Sequence, residues 1–412
     1  MKCTIRDRVV LLRVPEGPLV KHISPFAQSQ SAQGYAQSSI HRQVLLAAGF
    51  SHWLQQRRVA LRHVNSDHLS QYLRCRARRL RPHVGDAAAL RHLLDFLRRE
   101  GVIVAEKIAA RRPTAVECCA REYADYLSDV RAVAPATILV YVPLVRGFLG
   151  DRFGAGPVRL TRLNAGDVVR FVQHQAAHLH LQRAKLLTTA LRSFLRYARY
   201  CGAVALDLAA AVPTVANWSM TSIPRAIGES HIRQLLASID RHTAIGRRDY
   251  AIILLFARLG LRSGEVTFLE LEDIDWNVGQ VSVRGKGDRQ TALPLPADVG
   301  AAIADYLHHG RPRSTSRRVF LCSEAPIRGF AGQRGVGSII RRALQRAGIQ
   351  APTKGAHQFR HALATQMLRH GASLTEIGGV LGHRNLQTTM IYAKVDLTAL
   401  RTLALPWPGG AR

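Results

Sequence analysis

Seven side chains in the C-terminal half of this chain are of the types needed to act together on a phosphodiester: Arg262, Glu265, Lys286, His357, Arg360, His383 and Tyr392. Breaking such a bond without a metal takes a nucleophile, cations around the non-bridging oxygens, an acid for the leaving oxygen, and a base or hydrogen-bond partner. Tyr392 lies in the stretch GHRNLQTTMIYAKV, behind His383, Thr388 and Thr389. A free phenol has a pKa near ~10 and attacks nothing at neutral pH unaided. Tyr392 is therefore a nucleophile only if the other residues supply that help; otherwise it is a packing residue.

Each of the others also has two readings. Arg262, in LGLRSGEVTFLELEDID, stands at a helix start. A planar, permanently charged guanidinium there suits a two-pronged grip on a phosphate; its plain reading is a solvated charge. Glu265 shares the helix face of Arg262 and can hold a guanidinium or an imidazole in place. Lys286 sits at the tip of the hairpin predicted by VRGKGDRQTALPL. It is either a soluble surface lysine or a mobile ammonium able to reach a DNA groove and donate a proton. His357 and Arg360, in GAHQFRHALATQML, begin a helix and fall on one face of it. His361, four residues after His357, echoes the zinc motif H-E-x-x-H. Gln358 stands where that motif needs its glutamate and no acidic third ligand is near, so no metal is expected. Taken alone, His383 after Gly382 reads as a cap or surface residue, and Thr388 and Thr389 as helix-start residues.

The elements that must position these groups can be placed from pattern. RDYAIILLFARLG is apolar on nearly all sides and predicts a buried helix ending at Gly260, just before Arg262. ESHIRQLLASI predicts an amphipathic helix before it. QVSVRGKGDRQTALPL alternates on both sides of GKGD, a β-hairpin signal. SLTE at 373–376 is a capping box that opens a short helix stopping at Gly382. These features assign 227–412 to one mostly helical domain with a small antiparallel sheet. Residues 211–226, with two prolines and small polar residues, form a linker.

The first half is predicted to be helical throughout, apart from a tail or arm at 1–37. Residues 38–110 and 115–210 read as two copies of a four-helix unit. LRHVNSDHLSQYL echoes LTRLNAGDVVRFV, and ALRHLLDFLRREGVI echoes ALRSFLRYARYCGAV. Leu90, Leu93, Leu94 and Gly101 then fall against Leu191, Phe194, Leu195 and Gly202, and Phe50 against Phe148.

Composition narrows the partner. A chain of 412 residues is too long for one ordinary core, and 47% hydrophobic residues exclude a disordered protein. The formal net charge of +30 brings self-repulsion that a polyanion relieves, and nucleic acid is the leading candidate. The six cysteines include no C-x-x-C pair and read as thiols in a reducing cytosol. The longest apolar run, YAIILLFA, falls far short of the ~20 residues of a membrane span.

In order and spacing the seven residues resemble the tyrosine recombinase family, the phage-type integrases. GLRSGEV is similar to the family's first arginine box, GKGDRQTALPL to its lysine hairpin, HQFRHALATQML to its H-x-x-R box and LGHRNLQTTMIYAKV to its nucleophile box. The resemblance is continuous over about 222–400, and 115–210 resembles the family's core-binding, SAM-like domain. It implies that Tyr392 attacks the scissile phosphate, forming a 3′-phosphotyrosyl link and releasing a 5′-hydroxyl. Arg262 and Arg360 would hold the pentacoordinate phosphate, and Lys286 would protonate the leaving oxygen. His357 would serve as base or proton relay, His383 would hydrogen-bond the phosphate, and Glu265 would support the set. Neither metal, ATP nor another cofactor is implied. The implied partners are double-stranded DNA and further subunits, as a homotetramer on paired sites or an assembly with related recombinases. The expected setting is the bacterial cytoplasm, at the nucleoid, and the unusual N-terminal half and the arginine bias point to a mobile element rather than deciding between transposition, phage integration and dimer resolution. In the family the segment after the nucleophile docks on a neighbouring subunit; Leu397, Leu400, Leu403 and Leu405 would do so here, or pack on their own domain. Two rivals stay open on sequence alone. One is a type IB topoisomerase. The other is a non-catalytic regulator in which ASLTEIGGVLGHRNLQTTMIYAK forms a helix–turn–helix.

Overall fold

Amphipathic spacing becomes helix through most of the chain in a computed structural model. The model describes residues 3–5, 9–11, 15–104, 112–215, 225–285, 290–351, 353–383 and 385–395. Two units separate by their internal contacts, one of residues 106–219 and one of residues 1–105 with 220–412. Lys286, residues 216–224 of the expected linker and the four tail leucines lie outside the described residues.

At the N-terminus, antiparallel strands β1 (Cys3–Ile5) and β2 (Val9–Leu11) precede four helices: α1 (Val20–Ala32), α2 (Gln37–Gln56), α3 (Ser66–Ala77) and α4 (Asp86–Arg99). The expected tail at 1–37 therefore contains a helix. Leu19, Ile23, Phe26 and Ala27 are all buried and recur at helical spacing. Pro25 and the serines and glutamines around them dilute that pattern in sequence, and burial against α2 and α4 decides it.

The 106–219 unit repeats the element order with α5 (Ala115–Asp125), α6 (Pro135–Phe153), α7 (Ala165–His178) and α8 (Leu181–Tyr200). Local details repeat too. A 3₁₀ turn, Leu61–His63 or Leu160–Arg162, leads to an asparagine that caps the third helix. Asn65 accepts from the His68 N–H at 3.1 Å, and Asn164 from the Asp167 N–H at 3.0 Å. The fourth helix gives way to Gly101 (φ 67°) or Gly202 (φ 70°), and Phe50 and Phe148 are fully buried in their own cores.

The C-terminal part is built around α10. After α9 (Glu229–Ala237), α10 (Ala244–Leu259) buries the whole run Ala251–Phe256. It is capped by Thr243, whose hydroxyl accepts from the Gly246 N–H at 3.0 Å. The short α11 (Ser263–Thr267) follows, then a three-stranded antiparallel sheet, β3 (Ile274–Asp275), β4 (Gln280–Arg284) and β5 (Gln290–Pro294). In its register Val283 faces Thr291, and the chain between β4 and β5 contains GKGD, as the alternation predicts. Helices α12 (Ala297–His309), α13 (Gln333–Arg346), α14 (His357–Arg369) and α15 (Leu374–Val380) complete the layer, and α12, α13 and α14 pack on α10. Phe256 of α10 stacks on Phe359 of α14, ring centroids 6.2 Å apart. The ion pair Arg248–Asp249 (2.8 Å) is buried in the same core, with Arg248 also donating to the Leu321 carbonyl at 2.9 Å. No helix among the described residues is long and apolar enough to cross a membrane.

Candidate active site

Three chain reversals bring the candidate residues to one place. The first is the end of α10. Gly260 adopts the left-handed conformation (φ 59°) that stops the helix, and a Cβ there would lie 2.9 Å from Leu363 Cδ2. That close approach sets the Gly260 carbonyl beside α14, where it accepts from Arg360 Nη1 at 2.8 Å. The second is the start of α11. Glu265 reaches back to the backbone N–H of Arg262 at 2.7 Å and to its Nη1 at 2.7 Å, so one nearly buried carboxylate orients both the helix start and the guanidinium. The third is the end of α15, opened by the capping box of Ser373 and Glu376 and closed by Gly382 at φ 59°. The Leu381 carbonyl accepts from Arg360 Nη2, and the Gly382 carbonyl from Arg262 Nη2 at 3.2 Å.

A cleft of about 410 Å³ opens between these reversals and the base of the hairpin. Arg262, Glu265, Arg360 and His383 line it, with Val283, Gly285 and Thr291 from the sheet side. Arg360 is only 4% exposed, because Phe359 beside it anchors α14 in the core. Burial, and next the charge of Arg262, push the Arg360 guanidinium down to about 10, with Glu265 opposing. It stays cationic at neutral pH. Among the described residues, two fixed guanidiniums against one carboxylate leave the cleft one positive charge in excess, as an anion site requires.

The remaining candidates divide. His357 opens α14 one turn before Arg360. Burial, then the charges of Arg360 and Arg262, lower its imidazole below the ordinary value. His383 hydrogen-bonds the buried Thr389 hydroxyl through Nδ1 at 2.8 Å. Lys286 follows Gly285 in sequence and lies outside the described residues. Tyr392 does not line the cleft. It lies in the 3₁₀ segment Met390–Val395, is 1% exposed, and packs on Ala364, Ile377 and Leu381. Its hydroxyl pairs with His361 Nδ1 at 3.0 Å. Burial raises its pKa, and Arg360 pulls the other way.

Sequence reasoning set His361 aside with the zinc motif, and missed that it holds the phenol. The signal was present: His361 directly follows Arg360 on α14. Thr389 and the carbonyls of Gly260 and Leu381 carried no sequence signal as partners. No group of three or more His, Cys, Asp or Glu side chains able to hold a metal gathers among the described residues. The helix–turn–helix alternative also fails on geometry. After Gly382 the chain forms 3₁₀ turns, Leu386–Thr388 and Met390–Val395, and no recognition helix among the described residues. Thr389 is spent on holding His383 and filling the core rather than on starting a helix.

The histidines give the site a pH dependence. His383 is pushed down to about 4, by burial first and then by Arg360 and Arg262. The unfolded chain, with an ordinary value of 6.5, therefore binds more protons than the native state between about pH 6.5 and 4. Stability from this group is complete above pH 6.5 and is lost as pH falls through that window. Melting temperature should decline from pH 7 to pH 4, and the slope should flatten in His383→Gln. An unchanged slope in that variant would remove His383 from the charged cleft.

Comparison with known proteins gives the chain's relatives. The model of the phage integrase family matches residues 225–398. "Putative integrase/recombinase y4rA" of Sinorhizobium fredii (strain NBRC 101917 / NGR234) is 58% identical over all of both chains. Tyrosine recombinase XerA of Thermococcus kodakarensis (strain ATCC BAA-918 / JCM 12380 / KOD1) is 30% identical, over 68% of this chain and 92% of its own. Among solved structures, XerH site-specific recombinase bound to palindromic difH substrate, in a post-cleavage complex, superposes with a TM-score of 0.56. It is 19% identical over 69% of this chain and 83% of that one, a likeness of fold.

Proposed function

Since the chain belongs to the phage integrase family of tyrosine recombinases, we propose that its cleft binds the scissile phosphate of a DNA duplex and that Tyr392 is the attacking group. The chain is a site-specific DNA recombinase, and the open question is which atoms do the work. The observation that carries the assignment is the pairing of Arg262 and Arg360 on one cleft with, among the described residues, no neutralising partner beyond Glu265. In the proposed step the Tyr392 oxygen bonds to phosphorus and the bond to the 5′ oxygen breaks. The phenol proton leaves to an imidazole, His361 being its partner at rest. The 5′ oxygen takes a proton from Lys286 and departs as a hydroxyl. The phosphotyrosyl bond conserves the energy of the broken one, so the attack of another strand's 5′-hydroxyl reseals DNA without ATP. His357, lowered by burial and then by its charged neighbours, is placed to take up a proton, and His383 to donate to a non-bridging oxygen.

Tyr392 must move to reach the cleft. The left-handed Gly382 and the weak 3₁₀ turns after it are the natural place for that motion. Residues 38–110 and 115–210 are proposed to be repeated DNA-gripping units, and 227–412 the catalytic domain. The repeated caps and terminal glycines support that reading. Assembly as a tetramer on paired sites, a mobile-element role and a place at the bacterial nucleoid complete the proposal. Incubation with a nicked duplex, whose broken strand traps the covalent product, followed by peptide mapping tests it. The nucleotide should be found on the peptide containing Tyr392. Attachment at another residue would displace Tyr392 from the role.

A further inference from the structure

The end of α3 carries charge that the fold does not explain. Arg74, Arg78, Arg79 and Arg81 are all exposed, and none has an ion-pair partner among the described residues. Of the five carboxylates over residues 15–104, three are committed elsewhere: Asp86 to Arg76 at 3.6 Å, Asp95 to Arg98 at 3.0 Å and Glu16 to His52 at 3.4 Å. Over residues 15–104 the chain has thirteen lysines and arginines against five carboxylates. One or two cations at a helix C-terminus answer the helix dipole, but four crowded together repel one another.

The repeated helical set offers a comparison. Aligned on the capping asparagines Asn65 and Asn164, the four arginines fall against Gln173, Ala177, His178 and His180. Helix α7 runs on to His178 and α8 starts at Leu181, so the corresponding connection is shorter and carries no arginine in these places. They also lie outside the residues matched by the family model.

We propose that Arg74, Arg78, Arg79 and Arg81 form a phosphate-contacting surface for duplex DNA, on elements separate from those of the cleft. Arg74 and Arg78 lie one helical turn apart, and Arg79 and Arg81 continue into the exposed turn after α3, which places the charges along an edge rather than around a pocket. Such a surface contacts backbone and carries no base readout. It would add affinity for DNA beyond the few base pairs held at the cleft.

The inference rests on the recombinase reading, and its test can fail independently of it. The probe is a random-sequence duplex of about 60 base pairs, titrated with salt against the full chain. Each phosphate contact contributes about 0.9 to the slope of log affinity against log salt. The variant R74Q/R78Q/R79Q/R81Q should show a slope shallower by about three to four and bind about ten-fold or more weakly at physiological salt. The corresponding four-lysine variant should stay close to the parent, since a point charge serves a phosphate. If the four-glutamine variant melts early, R78Q/R79Q should show about half the change in slope. Unchanged affinity and slope in a folded glutamine variant would overturn the proposal. So would a lysine variant as weak as the glutamine one, which would point to a planar acidic group on a protein. Covalent attachment at Tyr392, measured on a short nicked duplex, reports the cleft chemistry separately.

Discussion

Tyr392→Phe is expected to abolish covalent attachment to DNA, a fall of at least about 10⁴-fold, while duplex affinity stays within about two-fold. The separation of the two readouts follows from the geometry. Tyr392 is buried and away from the cleft in the DNA-free chain, so its hydroxyl makes no part of the surface that first meets the duplex. The same position predicts a modest change in stability. Removing the hydroxyl frees His361 Nδ1, but that imidazole is partly exposed and can turn to water, so the loss should be about 1 kcal/mol. The ring itself keeps its packing on Ala364, Ile377 and Leu381. Denaturing gels on a nicked substrate, filter binding and thermal unfolding measure the three quantities. A Phe variant that still forms the adduct would show that another nucleophile is in use. One that loses affinity in proportion would show that Tyr392 is a structural residue of the binding face.

The sequence was most informative where one residue type does one local job. Gly260 and Gly382 announce the two helix ends because the left-handed conformation is nearly reserved for glycine, and SLTE announces α15 because the reciprocal cap needs Ser and Glu at that spacing. The hairpin was legible from alternation. Arg262, Glu265, Arg360 and His383 could be proposed together from order, and they do share a cleft. Less was visible where tertiary contact decides. Helix α1 was hidden, because Pro25 and polar neighbours mask four buried residues whose worth depends on α2 and α4. The partners of Arg360 are backbone carbonyls, which any sequence offers. The position of Tyr392 was unreadable for a deeper reason. As the proposed nucleophile, Tyr392 would need at least two environments, and spacing along the chain describes neither.

Arg360→Lys is expected to lower the rate of single-turnover cleavage by about 10²- to 10³-fold, the usual cost of losing one well-aimed donor to a charge that develops in the transition state. In the native chain two Arg360 nitrogens are already engaged, by the carbonyls of Gly260 and Leu381. The planar fork is therefore held from behind, with its remaining N–H edge available to the cleft it lines. Lysine has one nitrogen and no fork. It can satisfy a carbonyl or face the phosphate, and in a site this buried it does neither at full strength. A carbonyl left without its donor costs about 1–3 kcal/mol, so the melting temperature should fall as well, and the rate must be compared at a temperature where both proteins are folded. Arg262→Lys provides the contrast. Arg262 is more exposed and is held by Glu265, so its replacement should reduce the rate with little loss of stability. If Arg360→Lys cleaves at a near-normal rate, the phosphate does not rest between these two arginines. If it loses stability alone, with the rate per folded molecule intact, Arg360 is a strut joining α10, α14 and α15 and the anion must be held elsewhere.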